Sequence, residues 1–229
     1  MLRGKPRGFT IIEMMLVVII IGVLVFLARQ MLTRARPGAT FRTIEVELEA
    51  LARRARQEAL ARGRNTALLV FPHVGPDEGD LGKIFLIVDE PLPGLSFFDS
   101  MQEPDFESFD PDAPTITPNG QLLETLDLPR GVVMPEGGAG PAGVTREPFP
   151  YDSIPVDVAC SFCEGDRGAI VFDRSGRTRF CTVSGATISC RTDLSGGSLT
   201  IHHQQIPTRF STLVVTSPQG STKVFQHGN

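Results

Sequence analysis

An α+β fold, with a long N-terminal helix packed on an antiparallel β-sheet, is what three features of the sequence predict. The 229-residue chain opens with a twenty-residue apolar run, 9–28. A second helical segment follows, with apolar residues at three- and four-residue steps. Beyond it, short runs rich in Val, Ile, Phe and Thr recur between clusters of Pro, Gly and Asp. A helix followed by antiparallel strands is an α+β plan.

The apolar run reads FTIIEMMLVVIIIGVLVFLA and holds one charge, Glu13. At ~1.5 Å per residue a helix of that length is ~30 Å long, the thickness of a bilayer's hydrocarbon core. No other stretch is comparable, so the sequence predicts one span at most. Residues beyond about 40 have a soluble composition. A basic stretch ending at Arg7 and then Gly8 precede the run, and no Ala-x-Ala site follows it, so the run stays on the mature protein. Flanking charge does not orient the span, because Arg3, Lys5 and Arg7 precede it while Arg29, Arg34 and Arg36 follow closely. A carboxylate inside a span costs roughly 2.5–3.5 kcal/mol and therefore calls for a reason. Cutting the chain after Gly8 would create an α-amino group on Phe9. That cation could pair with Glu13, of its own chain or of a neighbour, and lower the cost of both charges.

Gly8-Phe9-Thr10-Ile11-Ile12-Glu13, followed by Met14-Met15-Leu16-Val17-Val18, resembles the class III signal of type IV pilins and type II secretion pseudopilins. The resemblance implies cleavage by a prepilin peptidase between Gly8 and Phe9, and methylation of the new N-terminus at Phe9. It implies that Glu13 meets a neighbour's N-terminus during assembly and that Gly22 is a weak point of the spine. Many major pilins carry a proline further along; this chain has Gln30 near that place, and its first proline past the span is Pro37. The implied organisation is a leader at 1–8, a transmembrane spine and linker at 9–39, and a pilin-like periplasmic domain at 40–229. The implied location is the inner membrane, single-pass, then a periplasmic filament.

The sequence 34–38 interrupts the helical pattern, which resumes at Thr40 as N-cap. Phe41, Ile44, Leu48, Leu51, Ala55 and Ala59 form one stripe, with Glu45, Glu49, Arg53, Arg56 and Arg62 on the other sides and Gly63 as the stop. Runs at 66–71, 84–88, 131–134, 169–172, 198–202 and 212–216 read as strands. Residues 89–121 contain six prolines and many acids and read as a long surface excursion. Ser217-Pro218-Gln219-Gly220 has turn chemistry and would join 213–216 to 222–225 as a hairpin. Residues 52–64, ARRARQEALARGR, are similar to the A-R-x-E/Q-A-x-x-R-G-R stretch of GspH/FimT minor subunits. Residues 170–177, IVFDRSGR, are similar to that family's F-x-x-x-G-R hairpin.

Four cysteines, Cys160, Cys163, Cys181 and Cys190, all lie far beyond the apolar run. An even count on the exported side suggests disulfides. If Gly185-Ala186 is a two-residue hairpin loop, counting outward places Ser184 opposite Thr187 and Cys181 opposite Cys190 as a non-hydrogen-bonded pair, ~4.5 Å apart at Cα, within bridging range. Cys160 and Cys163 are left to each other. A four-cysteine zinc site fits poorly, since the second pair is spaced Cys-x8-Cys. A thiol-redox motif at Cys160–Cys163 lacks a helix to open.

Other candidates favour bland readings. His202 and His203 are adjacent on a strand and point apart, which suits chelation badly. Asp105, Glu107, Asp110 and Asp112 lack the glycine-bearing loop of an EF-hand. Gly137-Gly138-Ala139-Gly140 meets Pro141 and opens no helix, so it is not a phosphate loop. Arg174, Arg177 and Arg179 with Lys223, near Phe180 and Phe225, could form a DNA-binding strip. The net charge of −4, taken to −7 by removing Arg3, Lys5 and Arg7, opposes nucleic acid as a main partner. No nucleophile–base–acid set stands out and no cofactor is called for. The resemblance implies a structural, non-enzymatic minor pseudopilin of a type II secretion pseudopilus. Its partners would be other pseudopilins or minor pilins, the prepilin peptidase and the inner-membrane assembly platform. The alternatives are a minor pilin of a type IV pilus, including one for DNA uptake, and a periplasmic domain on a signal anchor.

Overall fold

The computed structural model of the chain describes residues 11–33, 37–74, 82–90, 96–98, 104, 109–114, 120–135, 153–155, 158–165, 167–184, 187–191 and 194–227; for Glu13 and residues 25–33, 37–39, 184, 187 and 207 the backbone alone is described. The chain divides into two units, Met1–Thr40 and Phe41–Asn229.

The first unit carries α1 (Ile11–Thr33). Its composition gives an apolar surface on every side rather than one stripe. Helix α2 (Pro37–Arg62) begins three residues before the predicted cap at Thr40. Proline suits the first helical position, because its missing N–H is one that no carbonyl could receive there anyway. At the other end Gly63 adopts φ 61°. The Arg64 amide reaches back to the Ala59 carbonyl at 3.2 Å, which closes the helix in the manner that left-handed glycine permits. Phe41, Ile44, Leu48, Leu51, Ala55 and Ala59 are all buried, as their spacing predicts. Ion pairs Arg53–Glu49 (2.6 Å) and Arg62–Glu58 (2.7 Å) line the solvent side.

Two antiparallel sheets complete the second unit. The larger contains β1 (Thr66–Phe71), β2 (Lys83–Asp89), β3 (Gly120–Asp127), β5 (Gly168–Phe172), β6 (Thr178–Ser184) and β7 (Thr187–Arg191), in the order β3-β2-β1-β5-β6-β7. The smaller contains β4 (Val132–Val133), β8 (Gly196–His203), β9 (Ile206–Thr216) and β10 (Thr222–His227), in the order β10-β9-β8-β4. The terminal β9–β10 hairpin has the expected pairing, Leu213 with Val224 and Val215 with Thr222. One core joins α2 to the inner faces of both sheets, through Leu68, Leu86, Phe172, Phe180, Leu199 and Leu213 among others.

β1 and β5 are buried along their whole length. Both read as unbroken apolar runs, the pattern of strands covered on two faces. Part of the second cover comes from the segment read as a surface excursion. Phe97, Phe98 and Phe109 are buried against Leu69, Phe71, Phe85 and Ile87. Phe109 stacks on Phe71 at 5.6 Å and meets Phe85 at 5.0 Å. Lys83 Nζ anchors the segment through the Pro111 carbonyl and Asp112, both at 3.0 Å. The excursion reading is therefore corrected: four phenylalanines in an acidic stretch were the signal, and burying a phenylalanine is worth ~1.5–3 kcal/mol. β3, also absent from the strand forecast, ends the same segment. Its register against β2 shifts between Leu86 and Ile87, skipping Leu123. That bulge sends Leu122 to the outer cluster and Leu123 and Leu126 to the inner core, so no period-2 alternation is visible in the sequence.

Candidate functional site

Assembly through an N-terminal spine, the role the sequence points to, would rest on α1. Gly8 and Phe9 lie outside the described residues. Glu13 lies on the first turn of α1, with only its backbone described. Every described apolar side chain from Ile11 to Leu24 is exposed, from 83 % at Ile11 to 45 % at Val17. Gly22 sits within this helix, and a Cβ placed there would meet nothing within 4 Å. Among the described residues no helix is long and apolar enough to cross a membrane. The described side chains of α1 stop at Leu24, short of the ~20 positions a span takes, while its backbone continues as helix to Thr33.

The two internal segments singled out from the sequence meet in space. The hairpin joining β5 to β6 is a tight loop at residues 173–177. Asp173 Oδ1 accepts from the Ser175 amide (2.8 Å), the Ser175 hydroxyl (2.6 Å) and the Arg177 amide (3.0 Å). Gly176 takes φ 74°, and its place for a Cβ lies 3.0 Å from Cδ2 of Leu60 on α2. Arg56 Nε of α2 donates to the Gly176 carbonyl at 3.4 Å, and the Arg174 amide donates to Asn65 Oδ1 at 3.2 Å. The C-terminal turns of α2 and this hairpin thus form one packed junction. Partial burial of Asp173 acts to raise its pKa, yet the bonds from Ser175 and Arg177 and the charge of Arg179 hold it below the ordinary 3.8.

Both cysteine pairs are disulfides. Cys181 faces Cys190 in the β6–β7 register, with Ser184 opposite Thr187, at a Cα separation of 4.0 Å. Cys160 and Cys163 are joined at 5.4 Å. That loop lies along β8: Cys160 bridges to Leu199, and the Ser161 amide bonds to the Ser198 carbonyl at 2.9 Å. Disulfide sulfurs are not available as zinc ligands, so that alternative is removed. The Gly185-Ala186 loop itself lies outside the described residues.

Residues 3–28 match the family model described as the prokaryotic N-terminal methylation motif. The N-terminus is that of a type IV pilin-like prepilin. No curated protein and no solved structure was found to match the chain. A prepilin of this kind is processed by a prepilin peptidase and assembles with other pilins as a membrane-anchored, then surface or periplasmic, filament subunit.

The remaining candidates divide. His202 and His203 lie on β8, where a second register shift separates them. His203 is buried beside Phe41 at 6.1 Å and accepts from the Gln205 amide at Nδ1 (3.1 Å). Burial, and secondarily the charge of His203, push the His202 pKa below 6.5. Asp105 and Glu107 lie outside the described residues, as do Gly137–Gly140. Asp110 caps the Asp112 amide at 2.9 Å, a turn contact. Arg174 and Arg177 are in the β5–β6 loop, whereas Lys223 lies on β10 over the Phe225 ring at 4.8 Å.

One feature escaped the sequence reading. Glu45, assigned to the outer side of α2, is 4 % exposed. It accepts hydrogen bonds from the Ser211 hydroxyl and, at 2.8 Å, from Gln226 Nε2. It forms part of the wall of a cavity of about 490 Å³ with Arg42, Thr208, Arg209, Gln226 and His227. The spacing held the signal: residues 41, 45, 48 and 52 follow steps of four, three and four, which puts Glu45 on the buried stripe.

Proposed function

We propose that this chain is a minor pseudopilin of the H type in a type II secretion pseudopilus. Cleavage between Gly8 and Phe9 and methylation of Phe9 would generate the mature spine. In the assembled bundle the Phe9 ammonium of one subunit neutralises Glu13 of its neighbour and sets the axial register. Gly22, without a side chain, is the place where the spine yields. The observation that carries the reading is the exposed apolar surface of α1 from Ile11 to Leu24, which falls within the N-terminal methylation motif. The H-type assignment is supported by the packing of residues 52–64 on the hairpin of residues 170–177, the two stretches that resemble GspH/FimT subunits. The inner membrane and its assembly platform are where such a subunit waits before extraction.

A type IV pilus minor pilin would share the same N-terminus, and the genes beside this one separate a secretion operon from a pilus operon. The role itself is tested with Glu13→Ala. The variant should be cleaved as the parent is, with mass spectrometry finding a methylated N-terminal Phe9, while its content in sheared filaments drops at least about tenfold. Normal incorporation removes the register role. A mature N-terminus at any other residue removes the reading altogether.

A further inference from the structure

The cavity beside Glu45 is unused by anything described so far. Its floor is satisfied, because the Glu45 carboxylate already accepts from Ser211 and Gln226. Its polar rim carries two guanidinium groups. Arg42 is exposed and makes no ion pair among the described residues. Arg209 lies over the Phe41 ring at 5.2 Å, which fixes its stem and leaves its edge N–H groups to point elsewhere. Among the described residues neither arginine makes an ion pair, and Glu45, the acid of the same wall, is engaged by Ser211 and Gln226. Two planar donors beside one concavity suit a carboxylate.

A second, separate feature borders the same cavity. Gln226 and His227 belong to β10, the outermost strand of its sheet. The edge of an outermost strand offers backbone donors and acceptors to an incoming chain, and an extended peptide can pair there while its side chains fill adjoining pockets. A free anion would use the arginines only; a peptide uses both.

We infer that the Arg42–Arg209 cavity and the adjoining β10 edge receive an acidic, extended segment of a neighbouring filament subunit. The inference rests on the proposed filament role. It adds to the spine a second contact, made by the folded domain and governed by charge.

The test uses the full chain in cells that assemble filaments, with Thr208, an exposed wall residue, replaced by photo-crosslinking benzoylphenylalanine. Irradiation should yield an adduct to another filament subunit, mapped by mass spectrometry to an acid-rich peptide. Arg42→Glu should lower adduct yield at least about fivefold, and Arg42→Lys should keep most of it. Because Arg42 is exposed, neither change threatens folding. Arg42→Glu/Arg209→Glu should abolish the adduct. Three results overturn the docking alone: filaments that contain the chain without an adduct, an adduct to a segment lacking acids, or an adduct indifferent to both arginines. Absence of the chain from sheared filaments overturns the filament role, and the docking with it.

Discussion

Gly176 joins the β5–β6 hairpin to α2, and replacing it separates two physical effects. Its φ of 74° lies in the left-handed region, where an L side chain costs roughly 1–2 kcal/mol. An added Cβ would also lie 3.0, 3.1 and 3.3 Å from Cδ2, Cγ and Cδ1 of Leu60. Those atoms belong to a side chain that is 49 % exposed and can swing outward to another rotamer, so the contact is relieved at little cost. Gly176→Ala should therefore destabilise by about 1–2 kcal/mol, nearly all of it from the backbone, and lower the melting temperature by about 2–8 °C for a domain of this size. Gly176→Asn should cost less, because asparagine tolerates this region better. The assay is denaturant and thermal unfolding of the detergent-solubilised chain as a four-member cycle with Leu60→Ala. Coupling between the two changes should stay below about 0.5 kcal/mol. If Leu60→Ala cancels most of the loss, crowding rather than backbone strain governs the junction. If Gly176→Ala is neutral in both backgrounds, the reasoning fails outright.

Half-buried His202 and buried His227 give stability a pH dependence. Burial depresses the pKa of His202 and His227 below 6.5 in the folded state. A depressed histidine contributes fully above its unfolded value and loses that contribution as pH falls through the window beneath 6.5, because the unfolded chain then binds more protons. Urea midpoints should accordingly fall between pH 7 and pH 5, and His202→Gln/His227→Gln should flatten that slope; an unchanged slope refutes the assignment. For the disulfides, the nine-residue separation of Cys181 and Cys190 corresponds to about 2–3 kcal/mol of loop-closure entropy. Cys181→Ser/Cys190→Ser should lose about that much by equilibrium unfolding, and non-reducing peptide mapping should find Cys181–Cys190 and Cys160–Cys163. A Cys160–Cys181 bond would overturn the β6–β7 register.

What could be read from the sequence was whatever one local period could carry. The α2 stripe, the apolar runs of β1 and β5, and the β6–β7 register each follow from local spacing and turn chemistry, over no more than nineteen residues. β3 was not legible because the bulge at Leu123 breaks alternation, and a bulge is fixed by the partner strand rather than by its own residues. Phe97, Phe98 and Phe109 were hidden by the prolines and acids around them, which pointed to a surface loop and said nothing of what the segment covers. Glu45 was legible by spacing and missed by chemistry: a carboxylate on a buried stripe needs donors, and those come from Ser211 and Gln226, over 160 residues away. The same limit holds for the Gly176 junction, whose halves are recognisable separately while their contact is a product of the fold.

The two helices demand different surroundings. α2 is apolar on one stripe, and one folded domain satisfies it. The described part of α1 exposes twelve large apolar side chains on all sides. At ~1.5–3 kcal/mol each, keeping them in water would cost on the order of 20–35 kcal/mol, more than the net stability of a typical domain. A groove would cover one side only, so the helix requires an apolar environment all round, which lipid and a bundle of like helices both supply. Because lipid tails and leucine side chains are about equally apolar, transfer between the two changes the hydrophobic term little. Within the run 9–28, Glu13 is the charge that distinguishes them. In lipid its carboxylate stays costly, at roughly 2.5–3.5 kcal/mol. In a bundle of processed subunits it can meet an ammonium. On the proposed reading, that difference biases the subunit out of the bilayer and into the filament.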